Sequence, residues 1–404
     1  MTALEFPVLV PGNDYPGTLL PAMLQGVQSE KSNLRRLGMP KNCENSTLIL
    51  GSVLKDGTRR RRIIHGNLTY TPSTTKEKGF ASFRHFFAIF LPSAISPAKI
   101  PPLKPDVIFS LPSDPVPYAV LGRPINHSLS PVMQQAAFDH LDINGRYYRI
   151  EVDEEGLSRA VERMCQVPFG GWNCTIPNKV KMHELCDKHA ESAVQFRAVN
   201  TVVNEDGILV GHNTDGIGWS RALKEAFGRG PDELRILLLG TGGAGRAIAT
   251  QALLEKCPEL IVTNRNPVRA SELLLHLNAQ FSIGPLSRTP EDLRAIRWSD
   301  DELASTLRSV DLVVNATSAG LDPKAPPILS SPIIPPNLLV FDTIYGDGCA
   351  KLRHEVEAAG ARWSDGMGML LHQGAAAFSL WTGQEAPIEI MRQALQDAFS
   401  ASRA

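Results

Sequence analysis

Lys179 and Asp215 are the two side chains in this sequence best suited to move a proton. Lys179 closes the run Asn173-Cys-Thr175-Ile-Pro177-Asn-Lys179, and Asp215 lies in Asn213-Thr-Asp215-Gly216. Between them falls Ala198-Val-Asn200-Thr201. A lysine beside an aspartate can pass a proton to or from a hydroxyl, while amides and hydroxyls such as those of Asn200 and Thr175 fix a polyol-like substrate. Just downstream, Gly240-Thr-Gly242-Gly243-Ala244-Gly245 offers a place for a dinucleotide. Proton transfer, hydride transfer and a small polar substrate together describe a dehydrogenase.

The glycine pattern follows an apolar run, Leu234-Arg-Ile-Leu-Leu-Leu239, suited to a central parallel strand, and it opens a helix. Its first glycine permits a tight turn, its second lets the backbone approach a pyrophosphate, and its third lets helix and strand pack closely. Unpaired N–H groups at the helix start favour the phosphates. A cofactor without the 2′-phosphate is usually met by an acidic residue at the end of the second strand. Here that position reads Thr263-Asn264-Arg265, with Arg269 one helical turn later and no acid nearby. Two guanidiniums suit a 2′-phosphate, which arginine binds through paired charge-assisted bonds. The expected cofactor is therefore NADPH, and no metal is expected.

These residues need elements to position them. Val116–Leu121 reads as a strand ending in Gly122, and Ser130-Pro131 opens a helix with proline where its missing N–H costs nothing. Further strands are expected at 146–152, toward 173, at 260–263, 311–315 and 338–341. Helices are expected at 156–166, 177–185, 244–256, 267–278, 367–381 and 387–400. Such alternation implies βαβ units and parallel sheets. The expected organisation is an N-terminal extension over 1–115, an α/β substrate-binding catalytic domain over 116–216 completed by the C-terminal helices of 367–404, and a Rossmann-like nucleotide domain over 217–366.

With 404 residues, 43% hydrophobic and 21% charged, the chain can bury a sizeable core in more than one domain. A net charge of -1 gives no global reason to expect nucleic acid. The six cysteines show no CxxC and no paired short spacing, which argues against zinc or a disulfide framework and fits a reducing compartment. No apolar run approaches a membrane span, and the start lacks a secretory pattern, so a cytoplasmic location is expected. Residues 1–115 differ: they are basic, rich in Pro, Ser and Thr, and carry Arg59-Arg-Arg-Arg62. Composition predicts a poorly ordered extension there, with one short helical face at Phe83, Phe86, Phe87 and Phe90 and a linker over 96–105. A basic arm touching nucleic acid or membrane is the alternative.

In this order, the motifs resemble the shikimate dehydrogenase family over roughly residues 116–404. Besides the runs quoted above, the resemblance rests on Gly122-Arg-Pro-Ile-Asn-His-Ser128-Leu-Ser130-Pro131, Asn315-Ala-Thr-Ser318, Asp342-Thr-Ile-Tyr345 and Asp365-Gly366-Met-Gly-Met-Leu-Leu-His-Gln373. It implies reversible NADPH-dependent reduction of 3-dehydroshikimate to shikimate, in two α/β domains flanking a cleft, by a monomer or homodimer. It also implies that Lys179 and Asp215 act together on the reacting oxygen. Ser128, Ser130 and Tyr345 would bind the substrate carboxylate, and Thr175, Asn200 and Gln373 the ring hydroxyls. Thr343, Gly366 and Met367 would wall the nicotinamide end, and Glu191 matches an acidic position near the cofactor in some relatives. For Ser130, a helix cap is the structural alternative; for Gln373, it is local satisfaction within its helix.

The chain departs from the family pattern at three places. Gln134-Gln135 replaces a usual His-Asn, Arg197 stands where Gly precedes Ala-Val-Asn-Thr, and Gly346-Asp347 follows Tyr345 in place of Asn-Pro. The last change leaves substrate fine-tuning open. Two other functions remain: a quinate or dual quinate/shikimate dehydrogenase, which Arg265 and Arg269 count against, and a non-catalytic NADP-binding regulator, which would be expected to lack Lys179 or Asp215.

Overall fold

The computed structural model describes residues 48–53, 59–64, 101–281, 292–321 and 324–403. The chain divides into a unit ending at Ile95 and a unit from Ser96 onward. In the first, strands β1 (Leu48–Val53) and β2 (Arg59–Ile64) pair antiparallel, so the arginine run forms most of a strand. The expected phenylalanine-faced helix lies outside the described residues.

In the second unit the packed chain begins earlier than position 116, where composition alone ends the extension. Leu103 bridges Ile150, and a 3₁₀ turn over Pro105–Ser110 buries Ile108 completely in the core of the first sheet. That sheet holds β3 (Val116–Gly122), β4 (Gly145–Glu151), β5 (Gly171–Cys174), β6 (Lys188–His189), β7 (Thr201–Glu205) and β8 (Ile208–His212), in the order β4-β3-β5-β7-β8-β6. Helices α1 (Ser130–His140), α2 (Glu154–Gln166), α3 (Lys179–Leu185) and α4 (Glu191–Phe196) connect its strands. The expectation of an all-parallel sheet fails here, because β7 runs antiparallel to both β5 and β8. The cause is a two-residue hairpin at Asp206-Gly207, where both residues take positive φ (52° and 92°) as the right-handed strand twist requires.

After α5 (Asp215–Phe227), the second sheet is built from β9 (Arg235–Leu239), β10 (Glu259–Thr263), β11 (Leu293–Ala295), β12 (Leu312–Asn315), β13 (Leu339–Asp342) and β14 (Arg362–Ser364). Every pairing is parallel and the order is β11-β10-β9-β12-β13-β14. Numbered within the sheet, this is 3-2-1-4-5-6, the doubly wound arrangement of dinucleotide-binding folds. Helices α6 (Gly243–Leu254), α7 (Pro267–Phe281), α8 (Asp300–Leu307) and α9 (Ala350–Ala358) cover its faces. The apolar run of β9 is buried from Ile236 to Leu239 because helices pack on both of those faces.

The closing helices, α10 (Met367–Thr382) and α11 (Ile388–Arg403), return to the first sheet. Phe378 packs on Phe138 of α1, and Leu371, Met391 and Leu395 share one core with Tyr118 and Val120. Among the described residues no helix is long and apolar enough to cross a membrane.

Candidate active site

Lys179 starts α3 directly after β5, and Asp215 starts α5 directly after β8, so strand ends of one sheet aim both side chains at the same place. Lys179 Nζ donates to Asp215 Oδ2 at 2.6 Å, with both side chains largely buried. Asn200, in the loop before β7, donates through Nδ2 to Asp215 Oδ1 at 2.8 Å and reaches Gln373 Oε1 at 3.4 Å. Its side-chain oxygen accepts from the Thr214 backbone and the Thr201 hydroxyl, each at 2.8 Å. The amide is thereby held with its donors toward the carboxylate. Gln373 also donates to the Leu370 carbonyl at 2.9 Å, so the local bond and the reach toward Asn200 coexist. Gly218 makes that reach possible, because a methyl there would sit 2.6 Å from Gln373 Cβ and force α5 and α10 apart.

Three supporting residues have no role in the sequence reading. Tyr147 donates to Asn173 Oδ1 at 2.6 Å, and Asn173 Nδ2 donates to Thr201 Oγ1 and the Asn200 carbonyl. Asn213 Oδ1 accepts from the Asp215 backbone at 3.0 Å, while its amide holds the Ala198 carbonyl. Asn173 and Asn213 stand in the quoted motifs, and buried asparagines there signal such bonds; Tyr147 carries no comparable signal.

A second group gathers at the start of α1. Ser128 Oγ accepts from the Ser130 backbone at 3.3 Å, and Tyr345 hydrogen-bonds to the backbone of Leu129 between them. Burial pushes the Tyr345 phenol up, keeping it a neutral donor. Ser130 is the first helical residue and Leu129 holds the cap position, so Ser130 does not stand where a helix cap would. Arg149, which none of the sequence motifs includes, donates from Nε to the Ser128 carbonyl at 2.9 Å and lies near the Tyr345 phenol. Thr175 sits where the chain leaves β5, its methyl packed against Gly122. Gln134 and Gln135, the family departure, serve packing: Gln134 donates to the carbonyl of Gly374, beside Gln373, and Gln135 bonds both Gly145 and Tyr147 of β4.

At the glycine loop, Gly240 takes φ 97° and Gly245 faces it so closely that a Cβ would lie 2.1 Å from the Gly240 carbonyl. Alanine at Gly245 would break that turn. A Cβ at Gly242 would meet nothing within 4 Å, leaving open space over the N-terminus of α6, and at Gly243 it would meet Lys179 Cδ at 3.6 Å. The Lys179–Asp215 pair thus borders the loop. Asn264 Nδ2 ties the end of β10 to Thr241 Oγ1 at 2.6 Å, and Arg265 and Arg269 are exposed beside it. Ala244 lies in the first turn of α6. Thr343 and Gly366 touch, since a Cβ at Gly366 would collide with the Thr343 carbonyl, and Met367 follows at the start of α10. The open glycine cradle with two exposed guanidiniums fits a 2′-phosphorylated dinucleotide. Glu191 is exposed on α4 and accepts from Gln195 at 2.9 Å. Among the described residues no group of three or more His, Cys, Asp or Glu side chains could hold a metal ion.

Asp342, at the end of β13, is buried, with Oδ1 accepting from Asn315 and the Ile344 backbone, each at 3.0 Å, and Oδ2 without a partner. Burial first, then the nearby charge of Asp365, raises its carboxyl to about 7. Because the folded value exceeds the unfolded one, the folded state holds the extra proton between about pH 4 and 7, and stability is lost as pH rises through that window. Denaturant titrations from pH 5 to 8 should show a loss of about 2–4 kcal/mol that Asp342→Asn largely removes. A variant with the wild-type pH slope would overturn this.

Comparison with known proteins gives the same picture. Residues 120–202 match the shikimate dehydrogenase substrate binding domain, and residues 366–396 the shikimate 5′-dehydrogenase C-terminal domain. A shikimate dehydrogenase (NADP+) of Methanopyrus kandleri is 39% identical over 278 residues, which are 68% of this chain and 93% of that protein. Among solved structures, a shikimate dehydrogenase in complex with NADP+ superposes with a TM-score of 0.63 at 32% identity, covering 70% of this chain and 96% of that one. A shikimate 5-dehydrogenase of Thermus thermophilus, in complex with NADP(H) and shikimate, gives 0.61 at 35% identity, covering 70% and 99%. Identity at this level across nearly the whole length of the relatives means that this chain belongs to the shikimate dehydrogenase family.

Proposed function

We propose that the protein catalyses the reversible NADPH-dependent reduction of 3-dehydroshikimate to shikimate, in the route to aromatic amino acids. The observation that carries this reading is the Lys179–Asp215 pair, bonded to Asn200 and bordering Gly243 of the dinucleotide loop. NADPH, when bound, supplies the hydride. Reduction of a ketone builds negative charge on its oxygen, which needs a proton at that moment. Lys179 donates it from Nζ, while Asp215 orients the ammonium and accepts from the hydroxyl being formed. In the oxidative direction the same pair withdraws the proton.

Asn200, Gln373 and Thr175 bind the ring hydroxyls, and Ser128, Ser130 and Tyr345 donate to the substrate carboxylate. Such placed donors discriminate strongly, because an analogue lacking a hydroxyl leaves buried polar groups unpaired. Gly240, Gly242, Gly243 and Ala244 cradle the pyrophosphate. Asn264, Arg265 and Arg269 take the 2′-phosphate, and Thr343 with Gly366 walls the nicotinamide end. Residues 116–216 with the C-terminal helices act as the substrate-binding domain and 217–366 as the nucleotide domain. We read the enzyme as a cytoplasmic monomer or homodimer with small-molecule partners only.

Initial rates of cofactor reduction with shikimate and with quinate, each paired with NADP+ and with NAD+, test the reading. Turnover is expected with shikimate and NADP+. Preference for quinate or NAD+ would make the protein a quinate dehydrogenase, and turnover with no pair would leave a non-catalytic NADP-binding regulator.

A further inference from the structure

Asp342 ends β13 directly opposite Asn315, the last residue of β12, and both side chains are buried. The proton-transfer chemistry proposed above does not use this carboxyl. Taking a carboxyl out of water is costly, and an apolar side chain would fill a strand end at less cost unless the carboxyl's bonds are needed. All of its bonding falls on one atom. Oδ1 accepts from Asn315 Nδ2 and from the Ile344 backbone, each at 3.0 Å, whereas among the described residues Oδ2 meets no hydrogen-bonding partner.

From Oδ1, hydrogen bonds run in two directions. Toward the cofactor loop, Asn315 Oδ1 accepts from the Thr317 backbone at 3.1 Å and from the Thr317 hydroxyl at 2.7 Å. That hydroxyl accepts in turn from the Ala319 backbone at 3.2 Å. The segment fixed in this way lies against the first glycine of the loop: a Cβ at Gly240 would sit 2.8 Å from Thr317 Cγ2 and 2.9 Å from the Ala316 carbonyl. In the other direction, the bond to Ile344 closes the turn Asp342-Thr343-Ile344, and Tyr345 is the next residue. The Ile344 carbonyl accepts from the Gly366 backbone at 3.0 Å, so the same turn braces the start of α10.

We propose that Asp342 is a positioning residue: by holding Asn315 and Ile344 on one oxygen, it fixes the glycine loop and Tyr345 relative to each other. The inference rests on the shikimate and NADP reading above and adds to it a residue that touches neither ligand. Hydride transfer between two bound molecules tolerates little displacement of either one, and a buried acceptor shared by both supports limits that displacement.

A double-mutant cycle on the full-length protein tests this, reading kcat/KM for shikimate at saturating NADP+ beside the melting temperature. Asp342→Ala and Tyr345→Phe should each lower kcat/KM by roughly tenfold, through lost hydrogen bonds. If Asp342 acts through Tyr345, the double variant should fall by only about 10–30-fold, because coupled sites are not additive. A product of the two single effects, about 100-fold, would overturn the inference, since a carboxyl that only stabilises the fold acts independently of the phenol. Asp342→Asn keeps the acceptor and changes only the unpaired oxygen, so it should stay within about twofold of wild type. A loss in Asp342→Asn equal to that in Asp342→Ala would also overturn it. Should Asp342→Ala not fold, Asp342→Ser takes its place in the cycle, its oxygen being one bond too short to meet both donors. Wild type without turnover on shikimate and NADP+ would remove the reading and the inference with it, whereas an active wild type with an unaffected Asp342→Ala removes the inference alone.

Discussion

Lys179→Ala is expected to lower kcat by about 10²–10⁴-fold while the KM for shikimate moves by only a few-fold. In the proposed mechanism the lysine meets the reacting oxygen as charge develops there, so its loss would be felt mainly in the transition state. In the proposed reading, substrate binding is spread over Ser128, Ser130, Tyr345, Asn200 and Gln373, none of which is removed. Deleting Nζ also leaves the buried Asp215 carboxylate without its counter-charge, although Asn200 still donates to Oδ1. Melting curves of the variant therefore accompany the kinetics, to separate chemistry from loss of fold. A folded Lys179→Ala protein with near wild-type kcat would remove the proton-transfer role.

Replacing Arg265 and Arg269 together with serine should cut the preference of kcat/KM for NADPH over NADH by on the order of 10²-fold, through loss of two charge-assisted contacts. Both arginines are exposed at the end of β10 and the start of α7, so the fold should tolerate the change. NADH, which lacks the 2′-phosphate, should be used about as well as before. The ratio of kcat/KM for the two cofactors is the deciding number; if it stays at the wild-type value, the 2′-phosphate is held elsewhere.

Some parts of the fold are legible because the signal is local. The buried run of β9, the glycine loop after it, and proline just inside α1 each state their conformation within a few residues. The β7–β8 hairpin has an equally local signal in Asp206-Gly207 between Val202-Val203 and Ile208-Leu209. The alternation of strands and helices on either side hides it by suggesting a purely parallel sheet. Short elements such as α8, β11 and β14 carry too few residues for a period to show; packing on neighbours fixes them. Composition reads a linker over 96–105 inside an extension reaching 115, yet Ile108 finds the core of the first sheet.

The sequence by itself determined the residue types at the site, the order of the motifs and the local turns that launch Lys179, Asp215 and the glycine loop. Those depend on bonds and contacts between near neighbours in the chain. Tertiary structure alone decided which of these groups meet. Asn200 finds Gln373 and Gln134 finds Gly374 only because α10 folds back onto α1 and α5, across separations of 173 and 240 residues. Arg149 joins the Ser128–Tyr345 corner for the same reason. Local propensity acts over a turn or a strand, whereas closing a loop of hundreds of residues becomes favourable only when the apolar faces of both sheets and their helices are buried together.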